Sequence, residues 1–195
     1  MSGSLRVVAA EASTCTRCGL AEGRTQVVFG AGDPHARLMV VGEGPGAEED
    51  RQGLPFVGRS GQLLDRLLVE ELGTTRDAVY IANVVKCRPP GNRDPRPEEV
   101  DACSPWLDTQ LELIEPAVVV TLGNFAARRL LGSTQGITAL RGRTYPFRSG
   151  VLVPTLHPAY ALRGGGGVLA QMRADFVRAK LALAAAAAAT STAAP

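Results

Sequence analysis

Four short apolar runs punctuate this 195-residue chain, and stretches of a different periodicity separate them. The runs are 37–41 (RLMVV), 79–85 (VYIANVV), 117–122 (AVVVTL) and 151–156 (VLVPTL). Their nearly continuous apolar character predicts strands buried on both faces, not strands with one wet side. Between them, apolar residues recur at helical spacing. Leu repeats over 62–72, which Gly73 ends. Pro97 opens a helix through residue 113, with Glu98 and Glu99 in its first turn, where the helix dipole favours acids. Residues 124–131 form a short helix capped by Gly132, and 168–188 a last helix. Residues 1–11 read as a short helix or frayed arm. Strand alternating with helix predicts an α/β fold with a central, mostly parallel sheet covered on both faces. Such sheets carry their sites at the carboxyl ends of the strands. The informative loops follow Val41, Val85 and Leu156.

The length suits one domain, expected over 1–180, with an Ala-rich low-complexity tail at 181–195. A 45% apolar content rules out wholesale disorder. No run of about 18 apolar residues occurs, so no membrane span is expected. The N-terminus lacks a basic-then-apolar leader, so a cytoplasmic protein is expected. The net charge of +2 does not argue for a nucleic-acid partner. Nineteen of the 21 cations are nevertheless Arg, the side chain suited to phosphate and planar recognition, although genomic composition bias would give the same count.

Cys15, Cys18, Cys87 and Cys103 are the only cysteines. In a chain expected in a reducing compartment they read as a metal site more readily than as disulfides. Cys-x2-Cys brings two thiolates to one centre. The second pair is spread over 15 intervening residues, which suits the wider perimeter of an iron–sulfur cluster, while a zinc ribbon more often repeats the tight knuckle. Zinc and unrelated buried thiols stay open on spacing alone.

The loop Gly42-Glu43-Gly44-Pro45-Gly46-Ala47-Glu48-Glu49-Asp50 is rich in Gly and acid. It lacks the P-loop Lys-Ser/Thr, and its acids would repel a phosphate. Its glycines let backbone approach a flat ligand, and its carboxylates could orient water or face a cationic transition state. An acidic solvated turn capping a helix accounts for it equally well. Phe56, held in Gly53-Leu54-Pro55-Phe56-Val57-Gly58, is either a loop anchor or a stacking platform for a base. Asn83 lies inside an apolar run and needs partners there. Its amide matches the O4 and N3–H of uracil and mismatches cytosine, unless it only ties down a loop. His157 follows a strand directly and precedes Pro158, a reasonable catalytic position; His35 sits in a polar surface turn.

Taken together, GEGPGAEED, GLPFVG, ANVVKCRPPGNRDP, LHPAY and the four cysteines closely resemble the family 4 uracil-DNA glycosylases over about residues 12–180. The resemblance implies a three-layer α/β/α fold and excision of uracil from deaminated DNA, single- or double-stranded. It implies a 4Fe-4S cluster on Cys15, Cys18, Cys87 and Cys103. It also implies a uracil pocket from Gly42, Glu43 and Gly44, with Phe56 stacking, Asn83 reading the Watson–Crick edge and His157 near O2. The base would be flipped out and its N-glycosidic bond hydrolysed. Where family 1 enzymes place an Asp two residues after the first motif Gly, this chain has Gly44, so the water-activating role falls to Glu43 or Glu49, with Asn92 a weaker candidate. Arg88, Arg93 and Arg96 could grip phosphates. Tyr160, Leu162 and Arg163 follow His157, and Leu162 is the expected wedge in the emptied stack. A cross-linking branch of these enzymes uses a His in an inserted basic loop. No His occurs between Lys86 and Glu98 and the insertion is absent, so ordinary turnover is expected; a monomer is expected as well. A non-catalytic iron–sulfur DNA-binding or electron-transfer module, and a zinc-stapled nucleotide-binding protein, are the alternatives.

Overall fold

A computed structural model of the chain describes residues 3–192. Six strands form one sheet in the order β1-β3-β2-β4-β6-β5. Its centre is the four expected strands, β2 (Leu38–Gly42), β3 (Tyr80–Asn83), β4 (Val118–Leu122) and β6 (Gly150–Thr155), all mutually parallel. Two short antiparallel strands close the edges: β1 (Ala31–Gly32) on β3 and β5 (Tyr145–Phe147) on β6. Neither carries an apolar run, so neither stands out in the sequence. Pro154, which has no N–H to give a ladder, lies beyond the last β5 pairing at Leu152.

Although the central runs are apolar throughout, successive side chains serve two different cores. Met39, Val41, Tyr80, Ala82, Val119 and Leu152 face α1 (Gly3–Ser13) and α5 (Pro97–Ile114). Leu38, Val40, Ile81, Val118, Val120 and Val153 face α4 (Arg59–Leu67) and α8 (Pro158–Thr192). This is the period-2 alternation of a strand with an apolar layer on each side, and it makes the α/β/α sandwich. Each fully buried Leu, Val or Phe contributes about 1.5–3 kcal/mol of burial.

Several boundaries differ from the sequence expectation. The N-terminal arm is a packed helix: Leu5 and Ala12 of α1 are fully buried. Met1 and Ser2 lie outside the described residues. The strand expected to run to residue 85 ends at Asn83, so Asn83 stands at the carboxyl mouth of the sheet and not inside it. The Gly- and acid-rich loop that begins at Gly42 runs into a short helix, α3 (Ala47–Gln52), with Glu48, Glu49 and Asp50 in its first turn. The Leu-rich helix splits into α4 and a π-helical turn at 68–72, which ends at left-handed Gly73. The last helix starts at Pro158 and kinks at Gly165 (φ 73°, ψ −166°). It runs on through the Ala-rich segment to Thr192. Short helices at Leu20–Gly23 (α2), Asn124–Leu131 (α6) and Ile137–Leu140 (α7) complete the chain; of these, only α6 was expected.

Candidate active site and cysteine centre

The four cysteines, drawn from three separate stretches of sequence, line one small cleft that opens to solvent. Cys15 and Cys18 come from the turn between α1 and α2, Cys87 from the loop after β3, and Cys103 from α5. All are free thiols. Polar groups address two of the sulfurs. The Lys86 N–H donates to Cys103 Sγ at 3.2 Å, and Arg24 Nη1 approaches Cys87 Sγ at 3.7 Å. Arg24 also holds the Cys15 carbonyl at 2.6 Å. Burial pushes the Cys87 thiol up to about 11 and raises Cys103 as well. Thiolates here therefore need a cation to replace the lost water. Among the described residues no three His, Cys, Asp or Glu side chains converge closely enough to hold one ion.

A second constellation sits at the carboxyl ends of the parallel strands. Gly42 and Asn83 are register partners at the ends of β2 and β3. A Cβ on Gly42 would stand 2.5 Å from Asn83 Oδ1 and 2.5 Å from Phe56 Cζ, so three loops converge on that one backbone position. Asn83 is 1% exposed, and its Oδ1 has no hydrogen-bond partner. A buried acceptor left open costs about 1–3 kcal/mol, an expense that a ligand N–H removes. Phe56 holds a left-handed backbone (φ 52°), unusual for a residue with a side chain. Arg76 Nη2 fixes this geometry by donating to the Pro55 and Phe56 carbonyls at 2.9 and 3.1 Å. Gly61 packs directly on the Phe56 carbonyl, where any Cβ would collide at 1.7 Å.

His157 enters from the end of β6, its ring 6.1 Å from Phe56 and inclined at 36°. Its Nδ1 accepts the Ala159 N–H at 3.1 Å. The neutral ring must then carry its proton on Nε2, as a donor. Burial, assisted by the charge of Arg163 and opposed by Glu49, lowers its pKa to about 4. Gly123, at the end of β4 with φ 90°, leaves room for it: a Cβ there would lie 3.0 Å from His157 Cβ.

The four acids of the first loop do four different things. Burial, with the charge of Asp94, raises the half-buried Glu43 to about 7. Glu48 pairs with Arg51 on the surface. Glu49 accepts the N–H groups of Val57 and Gly58 at 3.0 Å each through Oε1, and that of Gly46 at 3.1 Å through Oε2. It thereby staples the Phe56 loop to α3. Buried Asp50 accepts the Thr25 N–H at 2.9 Å and ties down the lead-in from the cysteine knuckle.

A profile described as the uracil DNA glycosylase superfamily matches residues 29–182. A type-4 uracil-DNA glycosylase of Thermotoga maritima is 48% identical over 161 residues, which cover 82% of this chain and 83% of the relative. One from Sulfurisphaera tokodaii is 44% identical, covering 82% of this chain and 76% of the relative. A type-5 uracil-DNA glycosylase of Thermus thermophilus is 37% identical, covering 73% and 66%. The chain belongs to the type-4 uracil-DNA glycosylases.

In this family member the residues expected at the DNA divide into free and committed groups. Tyr160, Leu162 and Arg163 are exposed, with Tyr160 and Leu162 among the few large apolar side chains that face solvent. Arg96 is exposed as well. Arg88 donates to Asn92 Oδ1 at 2.7 Å, across the Pro-rich loop. Arg93 makes a two-pronged pair with Glu99 at 2.6 and 2.8 Å, which commits its guanidinium to shaping that loop. Arg76 and Gly61 hold the Phe56 loop and Gly123 makes room for His157, and all three are absent from the sequence expectation. Gly123 shows only as a Gly after an apolar run and Gly61 as one just before a helical repeat, both ambiguous without the fold, and Arg76 carries no signal.

Proposed function

We propose that this chain excises uracil from DNA, taking the deaminated base into the pocket of Gly42, Glu43, Gly44, Phe56, Asn83 and His157 and hydrolysing its N-glycosidic bond. The observation that carries the reading is the buried, unpartnered Asn83 Oδ1 beside the bare backbone of Gly42. That acceptor suits uracil N3–H, and the amide N–H₂ suits O4; cytosine offers the reverse pattern. Gly42 lets the base lie against main chain, and the Phe56 ring supplies the stacking face.

As the glycosidic bond breaks, charge gathers on uracil O2. Neutral His157 can donate Nε2–H to it without any proton leaving the ring. One such preorganised donor is worth about 2.7–4 kcal/mol. The sugar becomes cation-like and is attacked by water. Glu43 is the base for that water: it is half-buried at the pocket mouth, and its pKa near 7 places it close to working pH. Glu49, with both oxygens already accepting main-chain N–H groups, keeps the Phe56 loop in place. Arg88 and Arg163 meet phosphates, Tyr160 flanks the opening, and Leu162 fills the gap left by the flipped nucleotide. Arg93 acts through the shape of its loop. Residues up to about 180 work as one domain, as a monomer in the cytoplasm.

Cys15, Cys18, Cys87 and Cys103 would hold a 4Fe-4S cluster. Four thiols around one cavity, two of them addressed by N–H donors, suit such a group. Bound there, it supplies a cross-link between the N-terminal knuckle, the loop after β3 and α5; the hydrolysis itself moves no electrons.

The test is uracil release from an oligonucleotide carrying one uracil, read as alkali-sensitive strand cleavage. His157→Ala and Asn83→Ala are run beside the wild type. Uracil-dependent cleavage that falls in both variants is the expected result. Cleavage that survives Asn83→Ala undiminished would remove Asn83 from the pocket.

A further inference from the structure

Lys86 is the most anomalous buried group in the fold. It is 1% exposed, and among the described residues it pairs with no carboxylate. Its Nζ donates instead to the Asn83 carbonyl at 2.8 Å and to Gln110 Oε1 at 2.5 Å, and lies 5.8 Å from the centre of the Phe29 ring. Gln110, fully buried on α5, is held in turn by its own donations to the Phe29 carbonyl and the Tyr80 hydroxyl. The main chain of Lys86 is equally fixed. Its N–H donates to Cys103 Sγ, and its carbonyl accepts the Val28 N–H at 2.8 Å.

An apolar side chain would fill this shaft without the cost of desolvating an ammonium group, so packing alone does not account for a lysine. What the lysine adds is a donor to Asn83. β2 and β3 both stop at the Gly42–Asn83 pair, so the Asn83 carbonyl emerges where the sheet ends. We infer that Lys86 is a positioning residue that fixes the Asn83 end of β3 in reading register and takes that register from the cysteine centre. The inference rests on the uracil-pocket reading of Asn83. The strap 83–87 is pinned at one end by the Nζ bond and at the other by Cys87 and the sulfur of Cys103. A shift in the cysteine centre therefore reaches the base-reading amide through four residues.

The test uses cluster-loaded protein, matched by visible absorbance, well below its melting temperature. Lys86→Met keeps an unbranched apolar stem, one atom shorter, and removes the donor. Single-turnover uracil release should fall about 100-fold, the effect of an ångström-scale misplacement. Inhibition by free uracil should weaken alongside it, with affinity for uracil-free duplex unchanged. Tyr80→Phe loosens the same network at Gln110 but leaves the Lys86–Asn83 bond, and should keep the wild-type rate. A lowered melting temperature with wild-type rate and uracil inhibition in Lys86→Met would overturn the inference and leave a purely structural lysine. Should the Met variant fail to fold, Lys86→Gln decides. It keeps the shaft polar but is one bond too short to reach the carbonyl, so it should lose rate and uracil inhibition. Wild-type values there overturn the inference too. Asn83→Ala run in parallel separates the two readings. If it keeps uracil inhibition, the pocket reading fails; if it alone loses inhibition, only the role of Lys86 fails.

Discussion

Gly42 and Asn83 face each other across one register position of the β2·β3 pair, and a methyl group on the first would stand 2.5 Å from the amide oxygen of the second. Backbone, not side chain, therefore lines this side of the proposed base pocket. Gly42→Ala should still fold, because its φ does not fall in the left-handed region that favours glycine. The added methyl must displace Phe56 or the amide. Uracil release should drop about 100-fold, consistent with an ångström-scale misplacement at the reacting centre. Single-turnover kinetics beside a melting curve measures both, and a wild-type rate in the folded variant would contradict the geometry.

The open valence of Asn83 Oδ1 gives a second prediction. Asn83→Leu fills the same space and removes the orphan acceptor. The free protein should melt no lower than wild type, and higher if the orphan costs the usual 1–3 kcal/mol or so. Uracil affinity should be lost at the same time. A melting curve with and without free uracil tests this: the ligand should raise the wild-type midpoint and leave that of the variant unmoved. A marked destabilisation of the free variant would mean that Asn83 serves the fold instead.

The central sheet was legible in the sequence because its four strands are apolar on both faces, a pattern that little else produces. The edge strands β1 and β5 were not, since two- and three-residue pairings made mostly of main-chain bonds leave no side-chain signature. Cys15, Cys18, Cys87 and Cys103 were legible as a set because the spacing limits what four thiols can do. The division of labour among Glu43, Glu48, Glu49 and Asp50 was not. It depends on which carboxylate meets a main-chain N–H and which is left half-buried beside Asp94, and neither is written in an acidic run. Lys86 follows an apolar run with nothing in the sequence to mark it as buried; it is 1% exposed beneath α5, whose Gln110 accepts from its Nζ.

Burial shifts Glu43 and His157 in opposite directions, and together they predict the pH profile. Burial raises Glu43 to about 7, so the ionised base gains population as pH rises through neutrality. Burial lowers His157 to about 4, so the ring is already neutral across that range and adds no second limb. The single-turnover rate should rise with one apparent pKa near 7 and then plateau. In Glu43→Gln the rise should vanish along with most of the rate, about 10²–10⁴-fold for loss of a general base. Stability should move the other way. A carboxyl whose folded pKa lies above its unfolded value favours folding while protonated and loses that advantage as pH rises toward 7. Glu43→Gln should therefore melt higher than wild type at pH 8, with the difference shrinking by pH 4.

Arg76 acts on the pocket from outside it. Its guanidinium holds the carbonyls of Pro55 and Phe56 and lies 3.6 Å from Asp65, while Phe56 keeps a left-handed backbone that costs about 1–3 kcal/mol. Without the guanidinium, Phe56 is free to relax toward ordinary backbone angles, which swings its ring away from Gly42. Arg76→Ala should weaken inhibition by free uracil and slow uracil release about 10-fold. The Glu49 bonds to Val57 and Gly58 should retain part of the loop geometry. Arg76→Lys keeps the charge but cannot fork between two carbonyls, so it should resemble Ala and not wild type. Adding Glu49→Gln, which loses half of the acceptor capacity of the staple, should then cost more than the two single changes combined, because each alone leaves the other restraint in place. A double variant whose loss is the simple sum would show that Arg76 and Glu49 hold the Phe56 loop independently.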